Sequence, residues 1–174
     1  MSAEILLTLN GIPLSFEATR DVDQTYEPIG GIATLRFANG AALRQARWRR
    51  LRTTITASGP LPAALAAVDW DSPVTLGCIG PRGITQAGNV FTLPAARRAD
   101  AGAEVFAHAL LANGTSQAAS VALVGHVATV TPVSGAIGYT CYWHPLITVL
   151  SDGPRERFDL TQGGGGWEIT AEEI

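Results

Sequence analysis

Short apolar runs punctuated by turn residues follow one another along the chain, a pattern that predicts an all-β antiparallel sandwich or barrel and opposes a helical bundle or a βαβ array. "EILLTLN" opens as a strand, "NGIP" turns it, and "LSFEAT" forms a second. "ATLRF" follows a Gly-Gly pair and ends at Asn39-Gly40. Both of those residues tolerate the positive φ of a tight hairpin, so the next strand runs back antiparallel. From Arg49 to Ala57, the residues Leu51, Thr53, Ile55 and Ala57 alternate with Arg50, Arg52, Thr54 and Thr56. This period of two is that of a strand with one dry face and its arginines on the wetter one. Leu43, Arg47 and Leu51 also have a helical spacing, but the β-branched "TTIT" opposes a helix beyond Arg52. One short helix is predicted from about Pro62 to Val68, with proline near its first turn.

"VTLGCIG" and "NVFTLPA" are further strands. The segment from Glu104 to Val133 reads as a hairpin turning at Asn113-Gly114, with Val121 to Val130 as its second arm. "YTCYWHPLITVL" and "ERFDL" follow, then a four-glycine loop, Gly163 to Gly166, and a last strand, "WEIT". That loop has neither the lysine nor the following helix of a phosphate loop. The simplest partition is one β domain spanning 1–174, with one short helix and a projecting hairpin inserted at about 103–133.

Composition sharpens this picture. A chain of 174 residues can bury its own core, and its charged share of 16% is well below the usual quarter, so much of its surface is neutral or covered. From Val105 to Ser151 there is no Asp, Glu, Lys or Arg. Gly, Pro, Asn, Gln and Ser interrupt that stretch before it reaches the roughly 18 apolar residues of a spanning helix, so it predicts shielded strands and not a membrane segment. All 12 basic residues are arginines, which excludes chemistry that depends on a lysine amine. Cys78 and Cys141 are read as reduced, buried thiols. The N-terminus lacks the basic region of a secretory signal, so synthesis and folding in a cytoplasm are expected.

The main candidate site is "GAALRQARWRRLRTTITASG", which groups Arg44, Arg47, Arg49, Arg50 and Arg52 around Trp48 in a chain of net charge -3. It reads as a solvated strand face or as a contact in which guanidinium groups meet carboxylates of another subunit. Asp69, Asp71, Glu172 and Glu173 are the acidic candidates for that contact. Nucleic acid is a weaker reading, because the cluster stands alone in an acidic chain. Cys78, Cys141 and His144 with His108 or His126 lack the paired spacing of a zinc site, and no cysteine is marked as a nucleophile. Trp48, Trp70, Trp143 and Trp167 with Tyr139 and Tyr142 allow a sugar-stacking platform, though such positions mostly fill cores. Asp69 and Asp71 read as turn chemistry. No catalytic residue, cofactor or metal is assigned, and the chain is not read as an enzyme.

Two segments carry a resemblance. "PIGGIATLRFANGAALRQARWRRLRTTITASGPLPAALAAVDWDSPVTLGCIGPR" resembles a pattern of small tail and baseplate proteins of tailed bacteriophages: a Gly-Gly-led strand, an "NG" turn, tryptophan beside basic residues, a "TTI.ASG" strand, "LP..L" and a cysteine-containing strand. "GAIGYTCYWHPLITVL" with "FDL" and "GGWEITAEEI" is similar to the close of such distal-tail-like proteins. This chain has arginine where the pattern has lysine, and a proline after Gly59. The resemblance implies a structural virion component made in the host bacterial cytoplasm. Such a protein forms a homo-oligomeric ring or sleeve joining tail tube to hub or fibres. Its partners would be copies of itself and other tail or baseplate proteins, without membrane. The expected interface is Arg44, Arg47, Trp48, Arg49, Arg50, Arg52, Glu172 and Glu173. The alternative is a carbohydrate-binding β-sandwich module used in host recognition.

Overall fold

The computed structural model describes residues 5–14, 21–159 and 164–174. It is 61% strand and 3% helix in antiparallel sheets, so the chain is all-β. In chain order the first strands are β1 (Thr8–Leu9), β2 (Ile12–Pro13), β3 (Asp23–Arg36) and β4 (Ala42–Ser58). The helix α1 (Ala63–Ala66) precedes β5 (Val74–Gly77), β6 (Arg82–Gln86) and β7 (Val90–Thr92). Next come β8 (Phe106–Leu111), β9 (Ser116–Ala119), β10 (Val121–Val124) and β11 (Val127–Val130). The last strands are β12 (Ala136–Trp143), β13 (Leu146–Asp159) and β14 (Gly164–Glu173). The expected strand Leu14 to Thr19 lies almost wholly outside the described residues, as does Gly163 of the glycine loop. Gly164 to Gly166 belong to β14, where a Cβ on Gly166 would press on the Ala57 carbonyl.

Contacts gather into two compact units, Met1–Pro13 with Thr75–Ile147 and Leu14–Val74 with Thr148–Ile174. In the first, β1 and β2 form a hairpin turned by Asn10 and Gly11, both at positive φ, and β1 also pairs with β5. A four-stranded sheet in the order β6-β12-β8-β9 and a three-stranded sheet β10-β11-β7 share one core. Alternation along β12 turns Tyr139, Cys141 and Trp143 inward, where Ala107 and Ala109 of β8 leave room for the rings. Phe91, Ala128 and Val130 close the core from the other sheet.

The segment at 103–133 is therefore woven into this core and does not project. The turn at Asn113-Gly114 joins β8 to β9, while Val121 to Val130 forms a separate hairpin, β10 with β11, in the other sheet. The reason is the small inward residues Ala107, Ala109, Ala128 and Val130, all buried, which need cover on one face. The charge-free stretch is shielded on that face only, since Val124 and Ile137 stand exposed.

A buried arginine that the sequence did not announce ties this unit together. Arg98 is 4% exposed, and its Nη1 donates to the carbonyls of Leu6 (2.7 Å), Gly77 (3.1 Å) and Cys78 (3.0 Å). Its Nε donates to Asp100 Oδ1 at 2.9 Å and its Nη2 to the second carboxylate oxygen. One guanidinium thus joins three backbone segments, using the planar fork that lysine lacks. The bond from Arg98 holds the Asp100 carboxyl below its ordinary pKa. Nearby His144 is buried, its Nδ1 has no hydrogen-bond partner among the described residues, and burial lowers its pKa.

The second unit contains the sheet β13-β14-β4-β3. Thr53 and Ile55 of β4, Trp167, Ile169 and Ala171 of β14, and Val149 of β13 are buried at alternate positions. This is the dry face read from the sequence. The helix is shorter than predicted and buries Leu65. At the sheet edge β3 carries Pro28, which an edge strand accommodates because its missing donor costs no ladder bond there.

Replacing Arg98 with Met is expected to destabilise the chain by about 2–4 kcal/mol, because the buried carbonyls of Gly77 and Cys78 lose a charged donor, and the part-buried Leu6 carbonyl and Asp100 lose theirs with them. Urea unfolding at pH 7.5 checks this. Acid acts in a defined order. A His144 pKa below its ordinary 6.5 means that its contribution is complete above that pH and falls away as pH drops through the folded value. Asp100 contributes above the usual carboxylate range and loses its contribution only in stronger acid. Unfolding measured at pH 7.5 and 5 therefore shows a loss that His144→Gln reduces; an equal loss in the variant would contradict the assignment.

Candidate functional site

The arginine cluster lies on a two-stranded arm. Pairing of β14 with β4 runs from Gly166–Ser58 to Glu172–Arg52 and stops, whereas β3 follows β4 to Arg36–Ala42. Beyond Leu51, β4 keeps one ladder neighbour among the described residues. Asn39 and Gly40 close the tip as expected, with Gly40 at φ 81° and Asn39 Oδ1 accepting from the Ala41 N–H. The strand extends to Ala42, well past the Arg49 at which alternation first declared it.

At the root, the end of β14 clamps β4. Glu173 Oε2 accepts from the Leu51 N–H at 2.9 Å, taking the amide that the next ladder residue would have bound. Arg52 donates through Nε and Nη2 to Glu172 Oε1 (2.9 and 2.6 Å) and through Nη1 to Glu27 Oε2 (3.2 Å). The Glu172 bond, followed by Glu27, raises the Arg52 pKa. The sequence-predicted interface set therefore divides. Arg52, Glu172 and Glu173 engage one another within the chain, and Arg44, Arg47, Trp48, Arg49 and Arg50 stand on the exposed arm.

A β-bulge shapes that arm. Between the pairs Gly30–Arg49 and Ile32–Ala46, β4 spends one more residue than β3, so Arg47 and Trp48 together oppose Gly31. The Trp48 carbonyl occupies the space a Cβ on Gly30 would need, and the indole lies where a Cβ on Gly31 would come within 2.8 Å of Nε1. The Gly-Gly pair is thus the partner of the tryptophan. Trp48, 51% exposed, continues a face that carries the cross-strand pair Leu35–Leu43. Phe37 at the tip is also exposed. Arg36 donates to the Gly40 carbonyl and Arg50 to the Arg49 carbonyl, while Arg44, Arg47 and Arg49 have no side-chain partner among the described residues. The arm thus presents both apolar and cationic groups at an exposed surface.

The other candidates are scattered. Cys141 faces the first unit's core and Cys78 is buried; His108 pairs across the ladder with Thr140, on the opposite face of the sheet from Cys141. Among the described residues no group of three or more His, Cys, Asp or Glu side chains could hold a metal ion. Burial raises the Cys141 pKa, which opposes thiolate chemistry. Trp143 and Trp167 are buried, so the four tryptophans do not form one stacking surface. Asp69 acts as turn chemistry, accepting from the Asp71 N–H and the Ser72 hydroxyl. No helix among the described residues is long and apolar enough to cross a membrane. No protein-family model, curated protein or solved structure matches the chain.

Alanine at the two glycines separates backbone from side-chain crowding. Gly30→Ala meets a carbonyl that cannot leave without undoing the bulge, so amide chemical shifts are expected to change on both strands from Ile32 to Ala46. Gly31→Ala meets a movable indole, and its changes stay near Trp48. Equal, local changes in both spectra would contradict the bulge.

Proposed function

We propose that the chain is a structural component of a bacteriophage tail or baseplate, assembling as a homo-oligomeric ring or sleeve that joins the tail tube to hub or fibre proteins. One observation carries the assembly half of this reading: a long β ribbon held to a sheet at its root, whose Trp48, Leu35 and Leu43 remain in water in the single chain. Two-stranded ribbons are marginal alone, and exposed apolar surface rimmed by charge is the signature of a contact. The virion half rests on the pattern of "GGIATLRFANG", "RWRR", "TTITASG" and the C-terminal "GGWEITAEEI". The role is mechanical, without catalysis or cofactor.

Repeated copies meet through complementary patches and close into symmetric assemblies. Native mass spectrometry of the purified chain is expected to give an integer multiple of its 18.2 kDa, and antibody labelling is expected to decorate the tail end of particles. Charge reversal at Arg47, Arg49 and Arg50 should leave the monomer folded, as judged by its melting curve, and block particle formation. Unimpeded particles from that variant would refute the role of the arm.

A further inference from the structure

The arm needs a receptor, and the second unit carries a surface that fits it. A groove of about 740 Å³ is lined by residues that include Trp70, Asp71, Leu150, Asp152, Arg155 and Glu172. Its apolar part is built: the Trp70 indole donates to the Leu65 carbonyl at 3.2 Å and rests against Gly153, which has φ +88° and where a Cβ would come within 3.1 Å of the ring. Leu150 beside it is exposed. Its charge is acidic, three carboxylates to one guanidinium. Glu172 is held by Arg52, but no side-chain donor among the described residues reaches the carboxylates of Asp71 or Asp152.

The arm is the converse. Between Ile29 and Leu51 there are five arginines and no acidic residue, and the other seven arginines of the chain face fifteen carboxylates, a net of -8 outside the arm. Trp48 with the Leu35–Leu43 pair matches the apolar half of the groove, and Arg47 and Arg50, which the register places on that same face of the ribbon, match its carboxylates. The arm leads away from its own groove: Glu172 lies at the arm's root, and the extended ribbon carries Trp48 roughly 10 Å and the tip at Ala42 roughly 30 Å past Leu51 at about 3.3 Å per residue.

We propose that the arm of one copy seats in the Trp70–Asp71–Asp152 groove of a second copy, placing Trp48 on Trp70 and Leu150 and its guanidinium groups on Asp71 and Asp152. This contact rests on the assembly reading above and specifies which surfaces meet. Charged groups set the register and reject wrong partners, while the buried ring gives affinity.

The test is a charge exchange read by light scattering and native mass spectrometry. Asp71→Arg with Asp152→Arg, far from the arm in sequence, is expected to weaken assembly roughly 100-fold or more. So is Arg47→Glu with Arg49→Glu and Arg50→Glu. Combining all five substitutions in one chain restores assembly, since each reversed arm then meets a reversed groove. All sites are exposed, and thermal melts confirm that each variant is folded. A neutral pair, Asp71→Asn with Asp152→Asn, gives a smaller loss by the same readout. Assembly unaffected by the groove variants, or no restoration in the combined chain, overturns this contact while leaving oligomerisation intact. A wild-type chain that stays monomeric at all concentrations instead removes the assembly reading itself. If the arm variant loses affinity for a single-stranded DNA oligonucleotide while its assembly is unchanged, the arm is an anion-binding surface and the proposal fails.

Discussion

One strand is asked to do two things, and the structure turns on where the change occurs. From Ser58 to Arg52, β4 is an inner strand with β14 on one side and β3 on the other; from Leu51 to Ala42 it has β3 alone among the described residues. The change is marked by the Glu173 carboxylate on the Leu51 amide and by Glu172 and Glu27 on Arg52. Exposed ion pairs of this kind contribute little to global stability. Their effect is local: they fasten the last shared rung, so that the arm leaves from a fixed root.

From that root the remaining features acquire physical causes. The bulge at Arg47 and Trp48 increases the local twist of the ribbon and sets the indole against Gly31. Pro28 and the bulge discourage indiscriminate pairing along the free edge of β3, a need that any long exposed strand must meet. A self-assembling protein must permit one contact and prevent others. Exposed guanidinium groups do the second as well as the first, because two arms brought together in water repel.

The period of two in "LRTTITA", the "NG" turns and the short helix after Pro62 were legible because each follows from local chemistry. Alternation named the buried Thr53 and Ile55 correctly for the same reason. What escaped was non-local. Nothing near Arg98 in sequence reveals that Leu6, Gly77 and Cys78 will bring their carbonyls to it. The turn at Asn113-Gly114 suggests a projecting hairpin at 103–133, yet the small Ala and Val residues of that segment fit against Tyr139 and Trp143. The hairpin closed by Asn39-Gly40 is legible from its turn, but its arginines mask the alternation before Arg49 and give no sign that it outruns its neighbour β14. Glu172 and Glu173 were grouped with the arm by charge, and they turned out to be its anchors within the chain.

The account depends on the arm being ordered at its root and covered by another molecule when the protein works. Hydrogen–deuterium exchange of the amides from Ile32 to Arg50, followed as the chain is concentrated, tests this most directly. The account predicts fast exchange in the dilute chain and strong protection in the assembled state, with the buried amides of Thr53 and Ile55 slow in both. Arm amides that exchange equally fast at every concentration would contradict it.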